Sequence, residues 1–301
     1  MGPLELLKAQ ELGKKYGFSG TWALDRVDLA VKQGEVYGLM GENGAGKTTF
    51  LRLVLGFLRP STGSVKVEEG VGIGYVAERP SFWTTLTVVE HLSAVGRSRG
   101  VGGRVLAEAL DSALGMAGLQ GKAGARVSSL SKGMQQRLAI AQSTLGDPGL
   151  VILDEPASGL DPGGQREIRD MIQRLHRDGK TILLSSHYLV DLEMACTRVG
   201  ILHHGKLVLD DSLENLMRRY SSDVEIGLDR EPGEAEDEIR RAGAEVEISG
   251  KKIRLRGLDD VKYFALQEIL LRHRLRVMSL GHPGILLERI FLDVARGGGQ
   301  Q

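Results

Sequence analysis

The stretch GENGAGKTT, Gly41 to Thr49, follows directly on the apolar run EVYGLM, Glu35 to Met40. Three glycines, one lysine and two threonines in nine residues suit neither a packed core nor an ordinary helix start. The spacing is G-x-x-x-x-G-K-[ST], with Gly41, Gly46, Lys47 and Thr48 in the defining places. Glycines there let successive backbone N–H groups curl around a phosphate with no Cβ in the way. A helix starting near Lys47 aims the positive end of its dipole at the same anion. Lys47 is then placed to reach the β- and γ-phosphates of a nucleotide, and the Thr48 hydroxyl to ligate Mg²⁺. A strand before and a helix after distinguish this phosphate cradle from a plain glycine-rich turn.

The surrounding chain supplies that context. Strand-length apolar runs at Val36–Met40, Val71–Ala77, Leu150–Leu153 and Thr181–Ser186 alternate with helical patterns. Each is bounded by Gly, Pro or polar residues and reads as a strand buried on both faces of an α/β sheet. Val95–Arg104, VGRSRGVGGR, is a glycine-rich break between two helical segments. From Met134, apolar residues at Leu138, Ala141 and Leu145 keep a helical spacing that stops at GDPG.

Composition narrows the function classes. Lys+Arg and Asp+Glu are equal at 39 each in 301 residues, so no basic field invites nucleic acid or acidic lipid. A single cysteine, Cys196, excludes an internal disulfide and is expected to be a small buried residue. The opening residues carry no signal-peptide core, and the richest apolar run, FLRLVLGFL, is short and interrupted by Arg52. A soluble chain is expected, with any membrane part on another polypeptide.

Near Tyr220 the composition turns polar and charged, which marks residues 1–220 and 221–301 as two domains. The second reads as strand Val224–Leu228, helix Glu234–Ala242, strand Ala244–Ile248, a Ser249–Gly250 turn into KKIRLR, helix Asp259–His273 and strand Leu275–Leu280. That order, β-α-β-β-α-β, predicts a small α+β, ferredoxin-like unit. A last helix, LLERIFLDVA, precedes an RGGGQQ tail.

A second chemical motif is LVILDEPASGLDP, Leu150 to Pro162. Its strand delivers Asp154 and Glu155 at the carboxyl end, where open α/β sheets bind ligands. Asp154 is placed to take Mg²⁺ through water, and Glu155 to polarise the water that attacks a γ-phosphate. The third is SSLSKGMQQRLAIAQ, Ser128 to Gln142, and the fourth TILLSSH, ending at His187. In this order the motifs resemble the nucleotide-binding domains of ATP-binding-cassette (ABC) transporters, over about residues 5–220. The resemblance implies an ABC-type P-loop NTPase with a helical signature subdomain, which binds ATP and Mg²⁺ and hydrolyses ATP. Asn43, Gly44, Ala45 and Thr49 then complete the nucleotide loop.

Further roles follow from the resemblance alone. The signature, Leu130–Met134, serves the site of a second copy, with Ser131 and Gly133 on that copy's γ-phosphate. Tyr16 stacks on adenine, Asp161 links the two sites, and His187 contacts the γ-phosphate and holds Glu155. Glu78 stands where glutamine is commoner and keeps a nucleotide and Mg²⁺ role. Lys132 and Met134 replace the commoner glycine and glutamine, and Glu42 the frequent proline. These departures and the LLERIFLDVA helix resemble the branch that serves ABC-2 type exporters.

The implied function is an ATP-hydrolysing subunit peripheral at the inner face of the cell membrane. Two cassettes, identical or paralogous, sandwich ATP and drive a separate permease. Phe82 and Trp83, in Glu78–His91, look exposed where the family meets the permease; the alternative is that they belong to the core. The alternative is a soluble ABC ATPase acting on ribosomes or DNA; the neutral charge and the single P-loop count against it. His203 and His204 are expected to point to opposite strand faces, with a hairpin turn at His204–Gly205, rather than chelate a metal. RHRLR, Arg272–Arg276, reads as a solvated helix end.

Overall fold

A computed structural model describes residues 4–17, 20–220, 224–242, 245–256, 260–281, 287–288 and 290–291. By contacts the chain divides into two compact units, 1–211 and 212–301.

The first unit begins with β1 (Glu5–Lys15), β2 (Trp22–Lys32), β3 (Val36–Met40), α1 (Lys47–Val54), β4 (Thr62–Val67) and β5 (Ile73–Val76). Three helices follow, α2 (Val88–Ser98), α3 (Gly103–Ala117) and α4 (Lys132–Ser143). It closes with β6 (Leu150–Asp154), α5 (Pro162–Arg177), β7 (Thr181–Ser186), α6 (Leu189–Ala195), β8 (Arg198–His203) and β9 (Lys206–Ser212).

Six strands form one sheet in the order β5-β6-β7-β3-β8-β9, and the pairings from β5 to β8 are parallel. Every residue of β3, β6 and β7 is buried, so these short runs have no polar alternation to show. The same double burial was expected of the strand in Val71–Ala77, but β5 is half-buried because it is the sheet's edge. A second, antiparallel sheet, β2-β1-β4, packs its alternating inner residues Leu7, Leu12, Leu24, Val27 and Val31 against one face of the parallel sheet. Phe50, Leu51 and Leu53 of α1 fill the space between, each side chain contributing about 1.5–3 kcal/mol by leaving water. This packing anchors α1, and with it the residues just before it.

Helices α2, α3 and α4 form a separate small core around Leu92, Leu114, Leu119 and Leu138. The break expected over Val95–Arg104 is shorter, because α2 continues to Ser98 and α3 starts at Gly103, which leaves residues 99–102 between them. α4 starts at Lys132, two residues before the expected Met134, because Ser131 caps it: its hydroxyl accepts from the Met134 N–H at 3.3 Å. Leu145, taken as helical, lies beyond the helix end but still packs into this core.

The second unit opens with α7 (Leu213–Tyr220). It continues through β10 (Val224–Leu228), α8 (Glu236–Ala242), β11 (Glu245–Ser249), β12 (Lys252–Arg256), α9 (Asp260–Arg272) and β13 (Val277–Gly281). Four antiparallel strands lie in the order β11-β12-β10-β13. Ile226, Leu228, Ile253 and Leu255 pack one face of that sheet on Ile239, Leu266, Ile269 and Leu270 of the helices. The hairpin turn falls at Gly250–Lys251 rather than Ser249–Gly250, because Ser249 is still paired with Lys252. The last strand starts two residues later than expected: Arg274 is left-handed (φ 53°), and the Leu275 N–H returns to the Leu270 carbonyl to end α9. Of the LLERIFLDVA segment only Leu287, Glu288, Ile290 and Phe291 are described, and they are helical; the RGGGQQ tail lies outside the described residues.

Candidate functional site

β3 ends at Met40 and α1 begins at Lys47, so the glycine-rich loop spans the carboxyl edge of the parallel sheet. Gly46 sits at the helix N-cap with φ 112°, and a Cβ there would lie 2.4 Å from the Ala23 carbonyl oxygen. Only glycine passes so close to β2. Gly44 is left-handed too (φ 85°), with open space where a Cβ would go. No side chain caps α1, so its first N–H groups face outward without intrahelical partners. That is a preformed anion cradle.

Lys47 is buried beneath it. Its Nζ donates to the Gly41 carbonyl at 2.6 Å and the Glu42 carbonyl at 3.3 Å, and lies 3.2 Å from Glu155 Oε1. Glu155 follows β6 with a left-handed backbone (φ 49°), which turns its side chain toward the loop. Its Oε2 is 2.6 Å from His187 Nδ1 and accepts the His187 N–H at 3.3 Å.

Behind this pair stands Ser185, which no sequence argument had singled out. Its hydroxyl donates to Asp154 Oδ1 at 2.6 Å and accepts the Glu155 N–H at 3.0 Å, orienting both acids at once. The signal was a pair of serines at the end of an otherwise apolar strand, TILLSS, whose every residue is buried. Burial pushes the Asp154 carboxyl above its usual range, outweighing the Ser185 bond, and the charges of Glu155 and Glu78 push it the same way.

A pocket of about 390 Å³ collects Asn43, Gly44, Gly46, Lys47, Thr48, Thr49, Glu78, Glu155 and His187, together with Ala23, Glu42 and Ser158. Gly41 and Ala45 form the floor of the loop: the Gly41 carbonyl holds Lys47, and the Ala45 carbonyl accepts from Gly205. Asp154 lies beneath, within reach of the Thr48 hydroxyl. Tyr16 stands at the rim, half exposed, with its hydroxyl 3.4 Å from Thr49 Oγ1. A larger cleft of about 900 Å³, reaching from Arg99 to Lys180, contains none of these groups, so volume does not mark the chemistry.

The donor set suits a divalent cation in one particular way. Asp154 lies within electrostatic reach of Glu155 and Glu78, with Lys47 beside Glu155 as the nearby cation, and burial raises the Asp154 carboxyl. Yet no three His, Cys, Asp or Glu among the described residues form a metal cage. A hydroxyl and one carboxylate, completed by phosphate oxygens and water, are the donors Mg²⁺ takes.

Three expected residues, Ser131, Gly133 and Asp161, neither line the pocket nor stand in the contacts described around it. Ser131 caps α4, and the space at Gly133 is open. Asp161 caps α5 by accepting the Gly164 N–H at 3.1 Å. Lys132, which stands where glycine is commoner, donates to the Gly159 carbonyl at 3.1 Å. Of the aromatic pair, Trp83 is exposed, whereas Phe82 is half-buried against the helical core, so the core alternative holds for Phe82. His203 and His204 do not point apart: their rings meet edge to face with centroids 4.2 Å apart, because His204 leaves the strand in a left-handed turn (φ 47°). The turn itself falls at His204–Gly205 as expected. Cys196 is buried, its thiol pushed well up by burial.

Comparison with known proteins gives the same picture. A family model described as ABC transporter matches residues 24–158. The bacitracin transport ATP-binding protein of Bacillus licheniformis is 37% identical over 74% of this chain and 75% of its own length. The Nod factor export ATP-binding protein I of a Rhizobium species is 34% identical over 80% and 83%. Among solved structures, cbiO1 of Clostridium perfringens, part of an ABC transporter complex, is 27% identical with a TM-score of 0.63, covering 71% of this chain and 91% of that one. A cassette solved as a dimer after hydrolysis, with ADP and Pi bound, is 25% identical with a TM-score of 0.61, over 69% and 98%.

Proposed function

This chain belongs to the ABC transporter ATP-binding proteins and is an ATPase whose hydrolysis drives transport, and from that premise we propose that it powers an exporter through a separate permease. Two cassettes close on ATP, each completing the other's site with Ser131 and Gly133, and reopen after hydrolysis. The second cassette is a second copy of this chain or a paralogue. No helix among the described residues is long and apolar enough to cross a membrane, so the permease supplies the path and the cassette docks at its inner face. Trp83, exposed beside the half-buried Phe82, is the side chain offered to it. One similar protein is named for export and the other for transport; export is the part carried over to this chain, and the cargo is left to the permease. The second unit serves as an accessory domain.

The observation that carries the site is the Lys47–Glu155–His187 cluster beside the glycine-rich loop. Incoming phosphates take Lys47 and the free N–H groups of α1. Lys47 then turns from Glu155, which is left with the His187 bond and a fixed orientation from Ser185. Glu155 accepts a proton from water as the water oxygen bonds to the γ-phosphorus and the bond to the β-phosphate oxygen breaks, leaving ADP and phosphate. His187 steadies Glu155 and reaches toward the γ-phosphate. Tyr16 closes the rim over adenine. Thr48, Asp154 and Glu78 are the residues that would hold Mg²⁺, directly or through water, and the ion would neutralise phosphate charge there.

The test is a pull-down of tagged Glu155→Gln protein with Mg-ATP from detergent-solubilised membranes of the host. An ATP-dependent multispanning partner, lost in Trp83→Ala, is the expected result. Ribosomal proteins or nucleic acid with no membrane partner would overturn the reading.

A further inference from the structure

His91, on α2, is 2% exposed in the apolar core of the three-helix group, where a histidine has little reason to be. Its Nε2 lies 2.6 Å from Gln142 Oε1 on α4. Its ring meets both Phe82 and Trp83 edge to face, with centroids 5.4 Å away in each case. Its Nδ1 is buried with no partner. A leucine or phenylalanine would fill the same space without that orphaned atom. What histidine alone provides is the bond to Gln142 beneath the two aromatic rings.

The two ends of that connection differ in kind. Gln142 stands in the last turn of α4, whose first turn carries Ser131 and Gly133. Trp83 is 53% exposed. The aromatic loop is joined to the start of α4 as well, through backbone. Ser128 N–H donates to the Thr84 carbonyl at 3.1 Å, Val127 to Leu86 at 2.9 Å, and Val88 returns to Ala125 at 3.0 Å. That backbone runs straight into Leu130. The far end of α4 meets α2 and α3 through apolar side chains, which can slide on one another, and the His91–Gln142 bond is the directional tie there. Tied at both ends, α4 tilts with the loop.

We propose that His91 is a positioning residue that, through Gln142, makes the Phe82–Trp83 loop and α4 move as one body. Nucleotide arriving at the Ser131 end then shifts Trp83, and a permease pressing on Trp83 shifts Ser131. This rests on the reading of Ser131 and Gly133 as contacts to nucleotide held by a second cassette. His91 itself touches neither substrate nor phosphate.

The chain has two tryptophans, Trp22 and Trp83, so a Trp22→Phe, Glu155→Gln protein reports Trp83 alone by fluorescence. Mg-ATP is added, and dimer formation is followed by size-exclusion chromatography on the same samples. The expected result is a dimer with altered Trp83 emission. Gln142→Leu and, separately, His91→Phe keep the dimer but lose more than half of the emission change. Gln142→Glu, whose carboxylate accepts the same N–H, restores it. A dimer with no emission change in the parent, or a full change in both severed variants, overturns the proposal. Absence of a dimer in the parent overturns the two-cassette reading beneath it, and chromatography tells that failure from the others.

Discussion

Replacing Glu155 with glutamine should weaken the nucleotide-free protein and strengthen its grip on ATP, and the structure sets the size of both effects. Lys47 and Glu155 are both more than nine-tenths buried, with charged atoms 3.2 Å apart. At an effective dielectric of about 20, unit charges at that distance attract by roughly 5 kcal/mol. Removing one member of a buried pair typically costs about 3–5 kcal/mol, since it leaves the other uncompensated. Lys47 keeps the Gly41 and Glu42 carbonyls, which places the loss near the lower end, about 3 kcal/mol. For a unit of this size that lowers Tm by roughly 6–12 °C. ATP supplies the missing charge and no longer competes with Glu155 for Lys47. Its affinity should therefore tighten by tens of fold, up to about 10², as about 3 kcal/mol allows. Turnover should fall by about 10²–10⁴, the usual contribution of a positioned base. Differential scanning fluorimetry with and without Mg-ATP, nucleotide titration and phosphate release measure the three quantities. Equal Tm and equal ATP affinity in variant and wild type would refute the ion-pair argument, and wild-type hydrolysis would remove Glu155 from its proposed role.

Lys47→Ala removes the mobile charge of the cradle, so tight ATP binding should be lost; wild-type affinity by equilibrium dialysis would contradict this. Ser185→Ala takes a charge-assisted bond from buried Asp154, costing about 1.5–3 kcal/mol by urea denaturation, and lowers kcat because Glu155 loses one of its two backbone tethers. Gly46→Ala forces a methyl to within 2.4 Å of the Ala23 carbonyl in a left-handed backbone and should abolish nucleotide binding before it unfolds the chain. Asp154 binds its proton more tightly folded than unfolded, so between its ordinary and its raised value the folded chain holds more protons. The nucleotide-free protein should thus lose stability as pH rises through that window, a slope that Asp154→Asn removes in denaturation curves taken against pH.

Much of the site was legible because its chemistry is local. The phosphate loop, the Asp154–Glu155 pair and the Ser131 cap each depend on residues adjacent in the chain, and fully apolar strands beside them placed each at a strand or helix end. What failed was local reasoning about surroundings. β5 looked like its buried siblings because the same apolar letters serve an edge strand. Phe82 and Trp83 are adjacent aromatics with the same two readings, exposed or core, and only packing against the helical core tells them apart. His203 and His204 were taken as strand residues, and a left-handed turn at the second brought their rings together.

By itself the sequence determined the family, the glycine-rich loop between β3 and α1, the two acids at the carboxyl end of β6 and the order of strands and helices from β10 to β13. Backbone conformation and short motifs encode these over a few residues. Tertiary structure alone decided that Lys47 rests on Glu155, that Ser185 orients two acids, that Lys132 lies on Gly159 and that His91 reaches Gln142. Those contacts join residues far apart in sequence. They exist only where parallel strands and packed helices bring distant side chains within hydrogen-bond range, a geometry fixed by burial across the whole unit rather than by any local pattern.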